Sequence, residues 1–111
     1  MPNYSKVVQC TPATDGSTNF KSDAIDVSKL DKFSLQAKHD GSLVGTLELE
    51  GCVDEADGWD TLPDTSKSVS TAGSKIWDFP FGSGLTKVRF SWTRTSGTGN
   101  ISGKINQFDG A

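Results

Sequence analysis

Phe33, Leu35 and Ala37 alternate without interruption with Ser34, Gln36 and Lys38. A two-residue period sends the first set to one face of an extended chain and the second set to the other, as in a strand with one dry side and one wet side. Val88, Phe90 and Trp92 repeat the pattern, and Ile101 and Ile105 share a face further on. No window of about 11 residues carries a 3.6-residue apolar period, so amphipathic helices are excluded as the main building block. Strands patterned in this way bury their large residues by packing dry face on dry face, in a two-sheet sandwich or a barrel.

Read in this way, the chain has about eight short strands. They cover Ser5–Cys10, Ala24–Val27, Lys32–His39, Ser42–Val53, Ser66–Thr71, Lys75–Phe79, Leu85–Arg94 and Ile101–Phe108. Asp40-Gly41 predicts a tight turn that makes a hairpin of the third and fourth strands, with Leu43, Leu47, Leu49 and Val53 on one face. The expected core is Phe33, Leu35, Leu47, Leu49, one of Trp59 and Trp77, Val88, Phe90, Trp92, Ile101 and Ile105. Residues 1–22 are polar apart from Tyr4, Val7, Val8 and Phe20, and read as an N-terminal arm with one short strand. Residues 23–111 read as a single sandwich domain, as the length of 111 residues requires.

The apolar fraction is low, at 33%, yet three Trp, one Tyr and six Phe are present, which a disordered chain would lack. Eleven basic against 14 acidic residues give a net charge of -3, without the basic footprint of a nucleic-acid-binding domain. No apolar run reaches the ~18 residues of a membrane span, and the first ten residues hold no signal-peptide-like stretch. The expected place of synthesis is therefore a cytoplasm, where Cys10 and Cys52 stay as free thiols. Neither a nucleic acid nor a membrane is an expected partner.

Catalytic residues are hard to assemble. His39 is the one histidine, and beside Asp40-Gly41 it reads as a solvated strand-end residue and not as the base of a triad. Asp54, Glu55, Asp57, Asp60 and Asp64 crowd one loop, but paired-carboxylate chemistry needs two of them fixed across a cleft. Their spacing does not match a calcium loop either, so the segment reads as a solvated acidic turn. No catalytic residue, metal or cofactor is assigned. Trp77 and Trp92 read as core. Trp59, after Asp57-Gly58, reads as a packing residue that pins the loop, with a sugar-stacking platform as the alternative. Phe79 and Phe81 flank Pro80 on an expected loop and are candidate contacts for a protein partner.

Two stretches carry a resemblance. Gly51-Cys52-Val53-Asp54 through Asp57-Gly58-Trp59-Asp60-Thr61-Leu62 is similar to a hairpin of discoidin-like and related carbohydrate-binding sandwiches. Lys87-Val88-Arg89-Phe90-Ser91-Trp92-Thr93-Arg94-Thr95-Ser96-Gly97-Thr98-Gly99 resembles a strand and turn of small bacteriophage structural proteins. Together they make the chain look like a capsid decoration, or staple, protein of a short-tailed bacteriophage. The resemblance implies an all-β, jelly-roll-like antiparallel sandwich without enzymatic activity, placed on the outer capsid surface of the virion. It would bind the major capsid protein and bridge coat subunits. A homodimer at two-fold seams is a further candidate. The contact residues expected on this reading are Tyr4, Val7, Val8, Phe20, Phe79 and Phe81. The alternatives are a carbohydrate-binding module of a tail or fibre protein, touching sugar through Trp59, and a head-completion or tail-tube component.

Overall fold

The computed structural model describes residues 4–28, 30, 32–79 and 85–109, with only the backbone described at 4–8, 10, 108 and 109. It is all-β, an antiparallel sandwich of two sheets. The strands are β1 (Tyr4–Asp15), β2 (Phe20–Lys21), β3 (Ile25–Asp26), β4 (Lys32–His39), β5 (Val44–Cys52), β6 (Asp60–Thr61), β7 (Lys67–Val69), β8 (Gly73–Phe79), β9 (Lys87–Ser96) and β10 (Asn100–Asp109). One sheet has the order β1-β10-β4-β8. The other has the order β2-β9-β5-β6, with β3 also on β9 and β7 also on β5. Phe81 lies outside the described residues.

The segment that reads as a leading arm is part of both sheets. β1 pairs along the last strand from Tyr4↔Asp109 to Asp15↔Asn100, and Phe20 pairs with Trp92 in the opposite sheet. The Trp92 indole N–H donates to Gly16 O at 2.8 Å, and the Phe90 N–H donates to Ser22 Oγ at 2.9 Å. These bonds fasten residues 16–22 to the sandwich with partners more than sixty residues away.

The hairpin expected at Asp40-Gly41 does not form. β4 pairs with β10 and β8, β5 pairs with β9, β6 and β7, and the two strands belong to different sheets. The turn carries the chain from one sheet across to the other, and Gly97–Gly99 does the same between β9 and β10. The physical reason lies in the core. Leu35 and Ala37 of β4 and Leu47 and Leu49 of β5, in opposite sheets, belong to one core cluster, and all four are at most 2% exposed. Pairing the strands side by side would leave the same dry faces uncovered. The two arches run alongside each other, bonded by Ser42 N–H to Thr98 O at 2.8 Å, Asp40 N–H to Asn100 O at 3.1 Å, and Asn100 N–H to Asp40 Oδ1 at 2.7 Å.

The expected core is buried, with Trp77 filling the position left open between two tryptophans. Ile25, Val27, Ala37, Leu43 and Val69 join it. Burying this set supplies most of the folding free energy, at about 25 cal/mol per Å² of apolar surface. Trp77 keeps its polar edge satisfied by donating to Thr65 O at 2.7 Å, and the Thr65 hydroxyl accepts from Leu49 N at 3.1 Å. Val53 departs from the expected shared face and is 72% exposed. Gly51 and Cys52 are buried in succession where β5 ends, so the alternation breaks and Val53 turns outward.

His39 also departs from expectation: it is 3% exposed and not solvated. It takes the inward place after Phe33, Leu35 and Ala37, opposite Gly73 of β8, where a Cβ would come within 3.5 Å of Cε1. Neither ring nitrogen has a hydrogen-bond partner among the described residues. Burial pushes the imidazolium pKa below its ordinary value; the nearby Thr71 backbone and Asp40 pull the other way, and Lys75 adds to the lowering.

Two predictions follow from this packing. Gly97 has φ +84°, and a Cβ there would run into the Ser42 carbonyl of the neighbouring arch, whereas Gly58, at φ +94°, faces open space. Gly97→Ala should therefore lower the urea unfolding free energy by roughly 2–3 kcal/mol and Gly58→Ala by only about 1 kcal/mol. Equal costs would show that the arches are not in contact. The depressed pKa of His39 means that the unfolded chain takes up the proton first. Its share of stability is intact above about pH 6.5 and is lost as pH falls below that value. Urea titrations at pH 8 and pH 5 should show a smaller acid-side loss for His39→Leu than for the parent protein; an identical loss would mean that His39 is hydrated.

Candidate binding surfaces

Because the inward positions are filled by core residues, chemistry directed at a partner has to come from the two outer faces and the edges. On the four-stranded sheet the outward positions form cross-strand rows. Ser102 of β10, Lys38 of β4 and Ser74 of β8 make one row, and Lys104, Gln36 and Ile76 make the next. All of these but Ile76, with Asp40 and the Ala72–Gly73 bend, line a shallow groove of about 660 Å³, whose end is bordered by His39. Lys38 and Lys104 are exposed and bring two positive charges to this groove. Ile76 is 55% exposed and stands at the outer edge of the second row.

The outer face of the other sheet has a different character. Glu50 of β5 accepts from Lys21 Nζ at 2.6 Å and from Arg89 Nε at 2.8 Å. Burial pushes the Glu50 carboxyl up, but the bonds from Lys21 and Arg89 outweigh it and hold the pKa below the usual carboxylate range. The Arg89 guanidinium lies 4.2 Å from the centre of the Trp59 ring. Such a stack over an indole stabilises by about 0.5–2 kcal/mol. It also occupies one face of the ring, the surface that a sugar would stack on. Trp59 thus fastens its loop to β9, as a packing residue does.

The acidic loop is likewise occupied with its own structure. Asp54 Oδ1 accepts from Ala56 N at 3.0 Å at the start of a single 3₁₀ turn, Glu55–Asp57. Glu55 pairs with Lys87 Nζ at 2.8 Å, and Thr86 N–H donates to Cys52 O at 2.9 Å. Among the described residues no three His, Cys, Asp or Glu side chains are grouped as a metal ion would require. Cys52 is a free, buried thiol.

The other residues singled out in the sequence are dispersed. Phe79 is in β8 and stacks on Phe33 with ring centres 4.5 Å apart, so its ring is committed to the sandwich. Phe20 is half-buried and meets Phe90 edge-on at 6.2 Å. Tyr4, Val7 and Val8 lie along β1, the outer strand of the four-stranded sheet, in register with Asp109, Asn106 and Ile105. The structure thus places Tyr4, Val7 and Val8 on one sheet edge and Phe79 at the end of the opposite edge, while Phe20 belongs to the other sheet. Sequence reasoning missed the Lys38–Lys104 groove and the Lys21–Glu50–Arg89 cluster. Both depend on strand register between segments far apart in the chain, which carries no local signal.

No family model matches the chain, and no curated protein matches it. Solved structures do. The SPBc2 prophage-derived protein YomS is similar with a TM-score of 0.59 and 17% identity over 96% of each chain. The coat protein of Tobacco streak virus gives a TM-score of 0.56 and 14% identity over 98% of this chain and 88% of that one. PirA gives a TM-score of 0.51 and 13% identity over 94% of this chain and 93% of its own. At such identities the likeness is one of fold, and it extends over nearly the whole of this chain.

Proposed function

We propose that this chain is a structural protein of a virion, which binds the outer surface of an icosahedral shell and bridges neighbouring coat subunits. The observation that carries the reading is the fold of the whole chain. Merging β2 with β3 and β6 with β7 leaves eight strands, and every connection between successive ones crosses from one sheet to the other except that from β5 to the merged β6 and β7. This winding supports a jelly-roll reading, and jelly rolls are at home in viral capsid domains. A virus coat protein and a prophage-derived protein are similar to the chain over nearly its full length.

The surfaces fit a binding role better than a chemical one. The large side chains are spent on the core, and what remains outside is a pair of sheet faces, one with its charges paired around Glu50 and one with Lys38 and Lys104 along an open groove. We assign shell contact to the outer face of the four-stranded sheet, around Lys38 and Lys104, together with the β1 edge that carries Tyr4, Val7 and Val8. A specific contact of ordinary size buries about 800 Å² per partner, which a slab 46 × 31 × 22 Å can offer on one broad face. Many copies on one shell act together, so modest affinity per copy is enough to stiffen a seam.

Particles assembled without the protein should form normally but release their nucleic acid at a temperature several degrees lower, read by dye access during heating. Release at the same temperature with and without it would contradict a reinforcing role. Lys38→Glu combined with Lys104→Glu should keep the melting temperature within about 2 °C, as surface changes do, and lose at least tenfold in shell affinity. Trp59→Ala should leave shell affinity unchanged. The reverse outcome, with binding lost in the Trp59 variant alone, would move the contact to the opposite face and favour a glycan ligand.

A further inference from the structure

Each sheet has two edges, and three of the four carry features that stop another strand from joining. The six-stranded sheet ends in strands of two or three residues: β2 and β3 on one side, β6 and β7 on the other. β1 is long, but its register breaks between Gln9 and Thr11 and again between Thr11 and Thr14, with Pro12 between. Very short edge strands, bulges and proline are the devices by which proteins block edge-to-edge pairing. β8 is the exception. It runs seven residues from Gly73 to Phe79 in unbroken register with β4, and no described strand covers its other side. At its midpoint is Ile76, 55% exposed.

We propose that β8 is a dimerisation edge, on which a second copy of this chain adds its own β8 antiparallel across a two-fold axis at Ile76. The register is set by the side chains. For a continuous sheet, outward residues must oppose outward residues, which leaves few choices. Centring the axis on Ile76 uses all seven residues, sets Ile76 against Ile76, Ser74 against Asp78 and Lys75 against Trp77, and opposes no like charges. Centring on Lys75 sets two ammonium groups face to face. Centring on Trp77 sets Ile76 against Asp78. Both of those alternatives also shorten the seam to five residues. The remaining electrostatic cost of the Ile76 register is the diagonal approach of the two Lys75 side chains, which salt screens.

The pairing joins two four-stranded sheets into one of eight strands and leaves both outer faces open. It does not rest on the capsid reading. If both hold, the dimer presents two Lys38–Lys104 grooves side by side across the axis. A seam of seven residue pairs is about 24 Å long and buries less than a standard interface, so half-dimerisation falls on the order of 100 µM.

Sedimentation velocity from about 5 µM to 1 mM, in roughly 0.3 M salt, tests this without any shell. The parent protein should shift from monomer to dimer across that range. Ile76→Lys and Ile76→Glu should each stay monomeric to the highest concentration, with melting temperatures close to the parent's. An equimolar mixture of the two should regain the dimer, because the axis places residue 76 of one copy against residue 76 of the other. A parent protein that stays monomeric, species larger than a dimer, variants that dimerise like the parent, or a mixture that stays monomeric would each overturn the proposal.

Discussion

The contact between two arches governs this structure. Asp40–Leu43 and Gly97–Gly99 lie against each other at one end of the sandwich, sharing the Ser42–Thr98 and Asp40–Asn100 backbone bonds. Each arch carries its strand from one sheet to the other, so β4 and β10 become neighbours in one layer and β5 and β9 in the other. The close approach leaves no room for a Cβ at Gly97. Once the arches are set, the remaining strands have one place each. β1 can pair only with the exposed side of β10, β8 with that of β4, and the short strands cap β9 and β5. Pairing is consequently almost wholly non-local, with the chain's first described residue opposite its last, Tyr4↔Asp109. Folds of this kind close slowly and gain little until many strands are in place.

The same arrangement commits the large described side chains to the core and leaves the sheet faces and edges outside. The Trp92 indole N–H donates to the Gly16 carbonyl and that of Trp77 to the Thr65 carbonyl, so both rings are held inside the sandwich. Both indoles are buried, as are the other core side chains among the described residues. The outer faces differ because the strands bring different charges together. Glu50 gathers Lys21 and Arg89 on one face and pairs with both, while Lys38 and Lys104 on the other face line an open groove. A chain with net negative charge thus sets two exposed lysines along one groove.

Two-residue alternation was enough to identify the class of fold and nine of its core side chains, because it reports which residues of one strand share a side. It does not report whether the next strand lies beside the first or across from it, which is why Asp40-Gly41 reads as a hairpin turn and is an arch. His39 reads as solvated from its polarity and its place at a strand end, yet it continues the inward series of Phe33, Leu35 and Ala37. Phe20 reads as an arm residue from the polar residues around it, and Phe79, where the expected strand meets a proline- and glycine-bearing loop, reads as a partner contact; their sheet partners, Trp92 and Phe33, are not named by local sequence. The groove was illegible for a related reason: Lys38 and Lys104 are 66 positions apart and become neighbours only through the register of β4 with β10.

The central claim, that this sandwich is an external component of a viral shell, is tested most directly by sedimenting the purified protein with empty shells at increasing ratios. The account predicts co-sedimentation that saturates at a fixed, simple ratio of this protein to coat subunits, with no further uptake in excess. Protein that stays in the supernatant at every ratio, or uptake that rises without a plateau, would contradict it.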